Sequence, residues 1–253
     1  ADSFVRASID RRRRTRGQGC PRSGHESAVG RIALAVAALV IGAEAARAAE
    51  HPAQRASVEI SGITRSTQYG AQREDFLVGA GRHKGFVILP RQPARDGSRP
   101  WLWYAPTFVR PGGGLPDASH AWMFEQLLTH GFAIGGVDVG ESFGNPAGRA
   151  AFTEFYRAVV KKYRLAPRAC LLPQSRGGLM HYNWAAEHPD FVKCIGGIYT
   201  VCDPSSWPGL AKSSPAYNLS EAELAAHLGE HNPVDRLAPL ARARIPILHL
   251  HGA

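Results

Sequence analysis

Cysteine is scarce in this sequence, and its spacing excludes a cysteine-based metal centre. The 253 residues contain four cysteines, of which Cys20 lies in an N-terminal leader unlike the rest of the chain. The remaining three, Cys170, Cys194 and Cys202, form no Cys-x-x-Cys pair of the kind that binds zinc. One disulfide is permitted and none is required. Cys170 and Cys194 each lie in an apolar run, where a cysteine usually packs as a small buried hydrophobe.

The chain also lacks an apolar run long enough to span a membrane and a glycine loop of the phosphate-binding type. The run from Ile32 to Ile41 is too short to cross a bilayer, so we expect no stable membrane anchor. The glycines of Pro111–Gly114 are not followed by Gly-Lys-Ser or Gly-Lys-Thr. We therefore predict a flexible loop at that position, near the rim of an active site.

Arg31, the short apolar run and the small residues ending in Ala46-Arg-Ala48 have the layout of a secretory signal peptide. We predict a signal peptide over 29–48 and hence a secreted or periplasmic protein. A buried helix of the folded domain is the alternative, but polar and unpatterned sequence flanks the run on both sides. Residues 1–28 are predicted to be a disordered leader, with upstream sequence translated in error as the alternative, and 49–72 an N-terminal extension.

Basic residues are concentrated in the leader, which limits what the net charge of +9 implies. The first 48 residues hold 9 of the 30 Lys and Arg and 4 of the 21 Asp and Glu, which leaves 21 against 17, or +4, for the remainder. So mild an excess predicts no nucleic-acid groove. Arg11–Arg14 could be a nucleic-acid or localisation patch, and a twin-arginine signal is a weaker alternative because the arginines lie far ahead of the apolar run.

Strands and helices alternate along the rest of the chain, which predicts an α/β fold with βαβ crossovers. Phe76–Ala80 and Phe86–Leu89 read as a hairpin. The predicted strands that follow are Trp101–Ala105, Phe132–Asp138, Ala169–Leu172, Val192–Tyr199 and Ile247–Leu250, and the predicted helices are Ala118–His130, Ala147–Tyr163, Arg176–Glu187 and two short ones near Ser220–His227 and Val234–Ala243. Several strands are continuous apolar runs, as in parallel sheets covered on both faces. Ligands of such sheets bind beyond the carboxyl ends of the strands.

Ser175 stands between the predicted strand ending at Leu172 and the helix that begins at Arg176. A sharp strand-to-helix turn lifts a serine hydroxyl clear of the backbone, and a glycine two residues later, here Gly177, lets helix and strand approach closely. The N–H of Arg176 and the helix N-terminus could then stabilise an oxyanion. The alternative is that Ser175 only caps the helix.

A series of motifs resembles secreted bacterial α/β-hydrolases of the prolyl-oligopeptidase and dienelactone-hydrolase type. The matching runs are Ser175–Leu179, Tyr182–Ala185, Val201–Gly209, Asn232–Leu240 and Ile245–Gly252. The resemblance covers about Arg73 to Ala253 and implies an α/β-hydrolase fold, with a central, mostly parallel sheet and helices on both faces. In the family the nucleophile motif is Gly-x-Ser-x-Gly, and here Pro173 replaces the first glycine, a departure that a strand end tolerates.

The resemblance implies that Ser175 is the nucleophile and that the N–H of Arg176 is one oxyanion donor. The second donor comes from the loop after Trp101–Ala105, where Pro106 has no N–H and Thr107 is our choice. In the family the triad acid follows a His-Gly pair and the histidine comes one strand later. We therefore expect both beyond Ala253, with 73–253 an incomplete domain that lacks the last strand and helix and is nearly inert alone.

Three residues near the end of the chain are possible substitutes for the missing groups. Asp203 follows a strand but is expected to order its own Asp-Pro-Ser-Ser turn. His249 and His251 lie on or at the end of a strand, so we do not expect either to act as the general base. The His-x-His pair has no third ligand at a suitable spacing and therefore does not predict a zinc site.

The sequence thus predicts a secreted serine hydrolase, with no cofactor or metal, acting on a small ester substrate. The alternatives are a serine peptidase or a non-catalytic remnant that binds a ligand in the crevice.

Overall fold

The computed structural model describes residues 58–80, 82–108, 115 and 120–251. The leader 1–28, the signal peptide 29–48 and the glycine loop 111–114 lie outside the described residues, and their predictions stay predictions. Among the helices of the described part, none combines the length and apolar character that crossing a membrane requires.

One mixed sheet of eight strands organises the described residues. The strands in chain order are β1 (Ser61–Gln68), β2 (Ala71–Val78), β3 (His83–Leu89), β4 (Trp101–Ala105), β5 (Ala133–Val137), β6 (Ala169–Pro173), β7 (Val192–Ile198) and β8 (Ile247–Leu250). In the sheet they lie in the order β1-β2-β3-β5-β4-β6-β7-β8. The strands β1, β2 and β3 pair antiparallel, and β3 pairs antiparallel to β5. From β5 through β4, β6 and β7 to β8 every pairing is parallel.

The sheet begins earlier than the sequence predicts. The strand β1 lies inside 49–72, which we predicted as an N-terminal extension ahead of the hydrolase domain, and a tight turn at Tyr69 and Gly70 joins it to β2. Both turn residues have positive φ, the conformation that two-residue hairpin turns require. Most of β1 is exposed, so a polar edge strand of this kind carries no hydrophobic alternation for a sequence analysis to detect.

Helices cover both faces of the sheet, as predicted. The α-helices of the described residues are α1 (Ala121–Thr129), α2 (Pro146–Tyr163), α3 (Gly177–Glu187), α4 (Leu210–Tyr217), α5 (Glu221–Ala226), α6 (Leu228–His231) and α7 (Ala238–Arg242). Side chains of α2 and α3, among them Phe155 and Trp184, pack in one core. Phe124 and Leu128 of α1 pack in a second core on the opposite face.

The strand β4 shows why its sequence has no alternation. Trp101 and Trp103 point into the core beneath α2 and α3, whereas Leu102 and Tyr104 point into the core beneath α1. All five residues of the strand are buried. A strand buried on both faces reads as a continuous apolar run, and this run was predicted with the bounds that the structure gives it.

The helix α2 has start and stop signals that match its bounds. The side chain of Asn145 accepts a hydrogen bond from the N–H of Gly148 at 2.7 Å, and Pro146 occupies the first helical position. Arg164 ends the helix in a left-handed conformation. An N-cap asparagine followed by proline satisfies one orphan N–H and removes another, which fixes where this long helix begins.

His181 of α3 is fully buried and lies edge-on to the ring of Trp103, with 5.3 Å between ring centroids. Neither ring nitrogen has a hydrogen-bond partner among the described residues. Burial lowers the pKa of His181 from 6.5 to about 3, because a charged imidazole loses its hydration there. The side chain is therefore a neutral part of the core at neutral pH.

Replacing His181 with leucine is expected to make the protein less sensitive to acid. Between about pH 3 and 6.5 the unfolded chain binds a proton at position 181 that the folded chain does not. Stability is then lost as the pH falls below 6.5, by at most about 1.4 kcal/mol per pH unit. Urea unfolding at about pH 7.5 and about pH 5 measures this slope. His130→Gln, at an exposed position, is the control, and an unchanged slope in His181→Leu would contradict the assignment.

Candidate active site

Ser175 lies in the turn that joins the end of β6 to the start of α3. Its backbone φ is 50°, in the left-handed region that residues with a Cβ seldom adopt, at a cost of about 1–3 kcal/mol. The side chain is partly exposed. The turn thus has the strained strand-to-helix geometry that presents a nucleophile at the top of a sheet.

Neighbouring strands hold the strained turn from both sides. The N–H of Ser175 donates to the carbonyl oxygen of Ile198 at 3.0 Å, and its own carbonyl accepts from the N–H of Val201 at 2.9 Å. The N–H of Gln174 donates to the carbonyl oxygen of Ala105 at 2.8 Å. Because β4 and β7 flank β6, these bonds fix the position of Ser175 relative to three strands.

The two glycines after Ser175 allow backbone contacts that no side chain would permit. A Cβ on Gly177 would lie 2.0 Å from the carbonyl oxygen of Ala105, and one on Gly178 would lie 2.2 Å from that of Val201. The close approach that we predicted for Gly177 is therefore present. Pro173, the residue that departs from the family motif, ends β6 and pairs with Ala105 of β4. The parallel register between β4 and β6 therefore continues through this proline.

Of the two predicted oxyanion donors, Arg176 follows Ser175 and lines the same cavity, whereas Thr107 lies two residues beyond the end of β4 and does not line it. The N–H of Arg176 precedes α3, and neither it nor the N–H of Thr107 donates to a backbone carbonyl among the described residues. The Thr107 side chain is buried, and its hydroxyl donates to the carbonyl oxygen of Tyr104 at 3.0 Å. Only the backbone of Thr107 is thus a candidate donor. The helix N-terminus at Gly177 adds the positive end of its dipole.

Ser175 opens into a shallow cavity of about 230 Å³ at the carboxyl ends of the strands. Its lining residues are Tyr104, Pro106, His120, Gln174, Ser175, Arg176 and Tyr199. The buried Gln174 accepts a hydrogen bond from the Tyr104 hydroxyl at 3.0 Å and donates to the Tyr199 hydroxyl. The residue before Ser175 therefore orients two phenols in the cavity wall.

Sequence analysis did not identify Tyr104, His120 or Tyr199 as site residues. Tyr104 is the penultimate residue of β4 and Tyr199 directly follows β7. The rule that ligands bind beyond strand carboxyl ends could therefore have found both tyrosines. His120 precedes α1 and carries no comparable signal.

The Arg176 side chain closes one rim of the cavity. Its guanidinium forms an ion pair with Glu141 and lies 5.7 Å from the ring centroid of Phe108 and 5.5 Å from that of Trp207. Both partners of the ion pair are partly exposed, so its energetic contribution is small. The aromatic contacts hold the guanidinium beside the turn, where Arg176 lines the cavity.

The possible substitutes near the end of the chain have other roles. The Asp203 carboxylate accepts from the N–H of Ser205 at 2.8 Å and from its hydroxyl at 2.6 Å, which confirms that it orders its own turn. His249 lies 2.5 Å from the hydroxyl of Tyr182 and, like His251, does not line the Ser175 cavity. Within the described ranges no group of three His, Cys, Asp or Glu side chains is placed to hold a metal ion.

Comparisons with known proteins give matches in structure alone. No family model matches the sequence, and no curated protein does. An S-formylglutathione hydrolase from Agrobacterium tumefaciens matches at a TM-score of 0.52 and 14% identity, over 76% of this chain and 90% of that one. The enzyme of the same name from Staphylococcus aureus matches at 0.50 and 16%, over 76% and 80%. A puromycin-hydrolyzing peptidase from Mycobacterium tuberculosis matches at 0.51 and 13%, over 74% of this chain and 36% of that one.

The chain has the α/β-hydrolase fold. The fold prediction is confirmed in its mixed central sheet and in the helices on both faces. Identities this low establish the fold of the chain and nothing about its chemistry. The roles of Ser175, Arg176 and Thr107 in this hydrolase-fold protein stay predictions, which the geometry of the turn must support by itself.

Proposed function

We propose that this protein is a serine hydrolase in which Ser175 attacks a carboxylic ester and forms an acyl-enzyme. The strained, partly exposed turn at Ser175, which opens into a cavity at the strand ends, is the observation that carries the proposal. Elbows of this kind serve acyl transfer because the hydroxyl and one oxyanion donor come from adjacent residues, while a neighbouring loop supplies the second donor. The hydrolase-fold neighbours, which include enzymes named as hydrolases and peptidases, support the same general chemistry.

In the proposed reaction the Ser175 oxygen attacks the ester carbonyl and its proton passes to a histidine base. The carbonyl electrons move onto oxygen, where the N–H groups of Arg176 and Thr107 stabilise the negative charge. Collapse of this intermediate expels the alcohol, which takes the proton from the base. Water then attacks the acyl group by the same route and releases the acid. Among the described residues we assign neither the base nor its carboxylate partner.

Secretion is part of the proposal and rests on the predicted signal peptide at 29–48. A carboxylic ester is the substrate class that we propose first, and the two S-formylglutathione hydrolases, which match this chain over most of their own length, support it. A peptidase remains the second candidate, since both reactions use the same groups and differ in the shape of the pocket.

A fluorophosphonate probe tests the nucleophile directly. The label is expected on the tryptic peptide Ala169–Arg176, which contains Ser175 and no other hydroxyl side chain. Label on another peptide would exclude Ser175 as the nucleophile, and the absence of any label would favour a non-catalytic hydrolase-fold remnant.

Substrate class is expected to separate esters from amides. For p-nitrophenyl butyrate, kcat/KM should exceed that for butyryl p-nitroanilide, which has the same acyl group, by about 10²-fold or more. A prolyl p-nitroanilide serves as the peptidase substrate in the same assay. Faster turnover of either anilide would assign the protein to the peptidases while leaving Ser175 as the nucleophile.

A further inference from the structure

Two cysteine side chains face each other across neighbouring strands. Cys170 of β6 and Cys194 of β7 are direct partners in the parallel ladder, and each thiol shifts the pKa of the other. Both residues are free and partly exposed. Adjacent strands lie about 4.8 Å apart, and this spacing falls within the Cα separation of about 4.4–6.8 Å that a disulfide requires.

Cys202, the third cysteine among the described residues, is separated from this pair by the sheet. Cys170 packs against the core beneath α1, whereas Cys202 packs against the core beneath α2 and α3. The register places Cys194 on the same face as Cys170. The arrangement therefore favours one pairing of the three that these cysteines could form.

The pKa values of the two thiols shift in opposite directions, so the two cysteines differ in reactivity. The neighbouring thiol of Cys170 lowers the pKa of the Cys194 thiol to about 7, with a smaller contribution from Lys193, although burial opposes it. The thiol of Cys194, together with burial, raises the pKa of Cys170. Cys194 is thus the group that supplies a thiolate near neutral pH, the form that attacks disulfides.

We propose that Cys170 and Cys194 form an oxidisable dithiol site, which a small disulfide such as oxidised glutathione converts into a cross-strand disulfide. The Cys194 thiolate attacks one sulfur of oxidised glutathione, forms a mixed disulfide and releases the first glutathione thiolate. The Cys170 sulfur then attacks the Cys194 sulfur and releases the second. Two electrons pass from the cysteine pair to glutathione, and the two protons of the cysteines end on the two glutathione thiols.

The disulfide would link the strands that hold the strained turn. Ser175 follows the end of β6 by two residues, and its N–H donates to Ile198 of β7. The loop closed by the bond runs from Cys170 to Cys194 and contains both Ser175 and α3. Closing a loop of about 25 residues is expected to raise Tm by about 5–10 °C. This site is independent of the proposed hydrolase reaction.

The test uses a Cys20→Ala, Cys202→Ala variant, in which Cys170 and Cys194 are the remaining thiols. After oxidation with glutathione, non-reduced tryptic digests should contain the Cys170 peptide linked to the Cys194 peptide, and reduction should reverse the rise in Tm. A further Cys170→Ala substitution should leave glutathione attached to Cys194. Absence of the linked peptides at full oxidation would overturn the proposal.

The unsubstituted protein provides a second measurement if the variant does not fold. Tryptic digestion leaves Cys194 and Cys202 in one peptide, but chymotrypsin cleaves after Tyr199 and separates them. A bond from Cys170 to Cys194 is the expected product. A bond that includes Cys202 would equally overturn the proposal.

Discussion

Replacing Ser175 with alanine is expected to lower kcat/KM for p-nitrophenyl butyrate by about 10⁴–10⁶-fold. The reason is that the substitution removes the attacking oxygen while leaving the backbone donors and the cavity in place. Alanine adopts the φ of 50° at about the same cost as serine. Tm should therefore change little, and the decrease in kcat/KM should come from a lower kcat.

Two further variants separate the role of this hydroxyl from general effects of substitution. Ser98→Ala removes an exposed serine that bonds only to the nearby Asp96 in its own loop, and it should keep full activity. Ser175→Cys places a thiol in the turn, and iodoacetamide should label that thiol. If Ser175→Ala kept kcat/KM within a few fold of the starting protein, the serine-hydrolase proposal would be wrong.

The parts of the fold that could be predicted are those whose signal is local. The strand β4 is buried on both faces, so five consecutive apolar residues marked its bounds. The helix α2 combines an Asn cap, a first-turn proline and an apolar face. The turn at Ser175 was found because a strand, a serine, two glycines and a helix follow each other directly in the chain. Each of these features is complete within a few residues.

The parts that were missed have no hydrophobic pattern or turn signal of their own in the local sequence. The strand β1 is polar and exposed and is held by its pairing with β2. The helix α4 contains Pro215 and short polar residues, so its pattern predicts a loop rather than a helix. The insertion of β5 between β3 and β4 has no local signal, because strand order depends on how crossovers pack.

The residues of the candidate site also differ in whether a local motif identifies them. Ser175 and Arg176 are adjacent to the motif and could be identified from it. The cavity wall is different: Tyr199 reaches it from the end of another strand, and its hydroxyl is oriented by Gln174. That contact joins residues 25 positions apart. A sequence indicates which strand ends face the crevice, but only the folded sheet shows which side chains meet there.

Replacing Gly177 with alanine is expected to destabilise the protein by about 3 kcal/mol or more and to lower Tm by about 6–12 °C. The added Cβ would lie 2.0 Å from the carbonyl oxygen of Ala105 and 2.4 Å from its carbon. Both are backbone atoms of the central strand β4, which cannot move aside as a flexible side chain would. The helix α3 must therefore shift away from the sheet. Ser175 would move with it, so labelling by the fluorophosphonate probe should fall as well.

Gly229→Ala is the matched control, because a Cβ at Gly229 meets nothing within 4 Å. Gly229 lies in the short helix α6, where alanine should be neutral or stabilising by about 0.5–1 kcal/mol. Since Gly177 does not have a positive φ, a difference between the two variants reports the contact with β4 and not the conformational freedom of glycine. Equal unfolding midpoints in urea, with full labelling of Gly177→Ala, would show that α3 does not pack against β4 at this distance. The position of Ser175 at the end of β6 would then need another explanation.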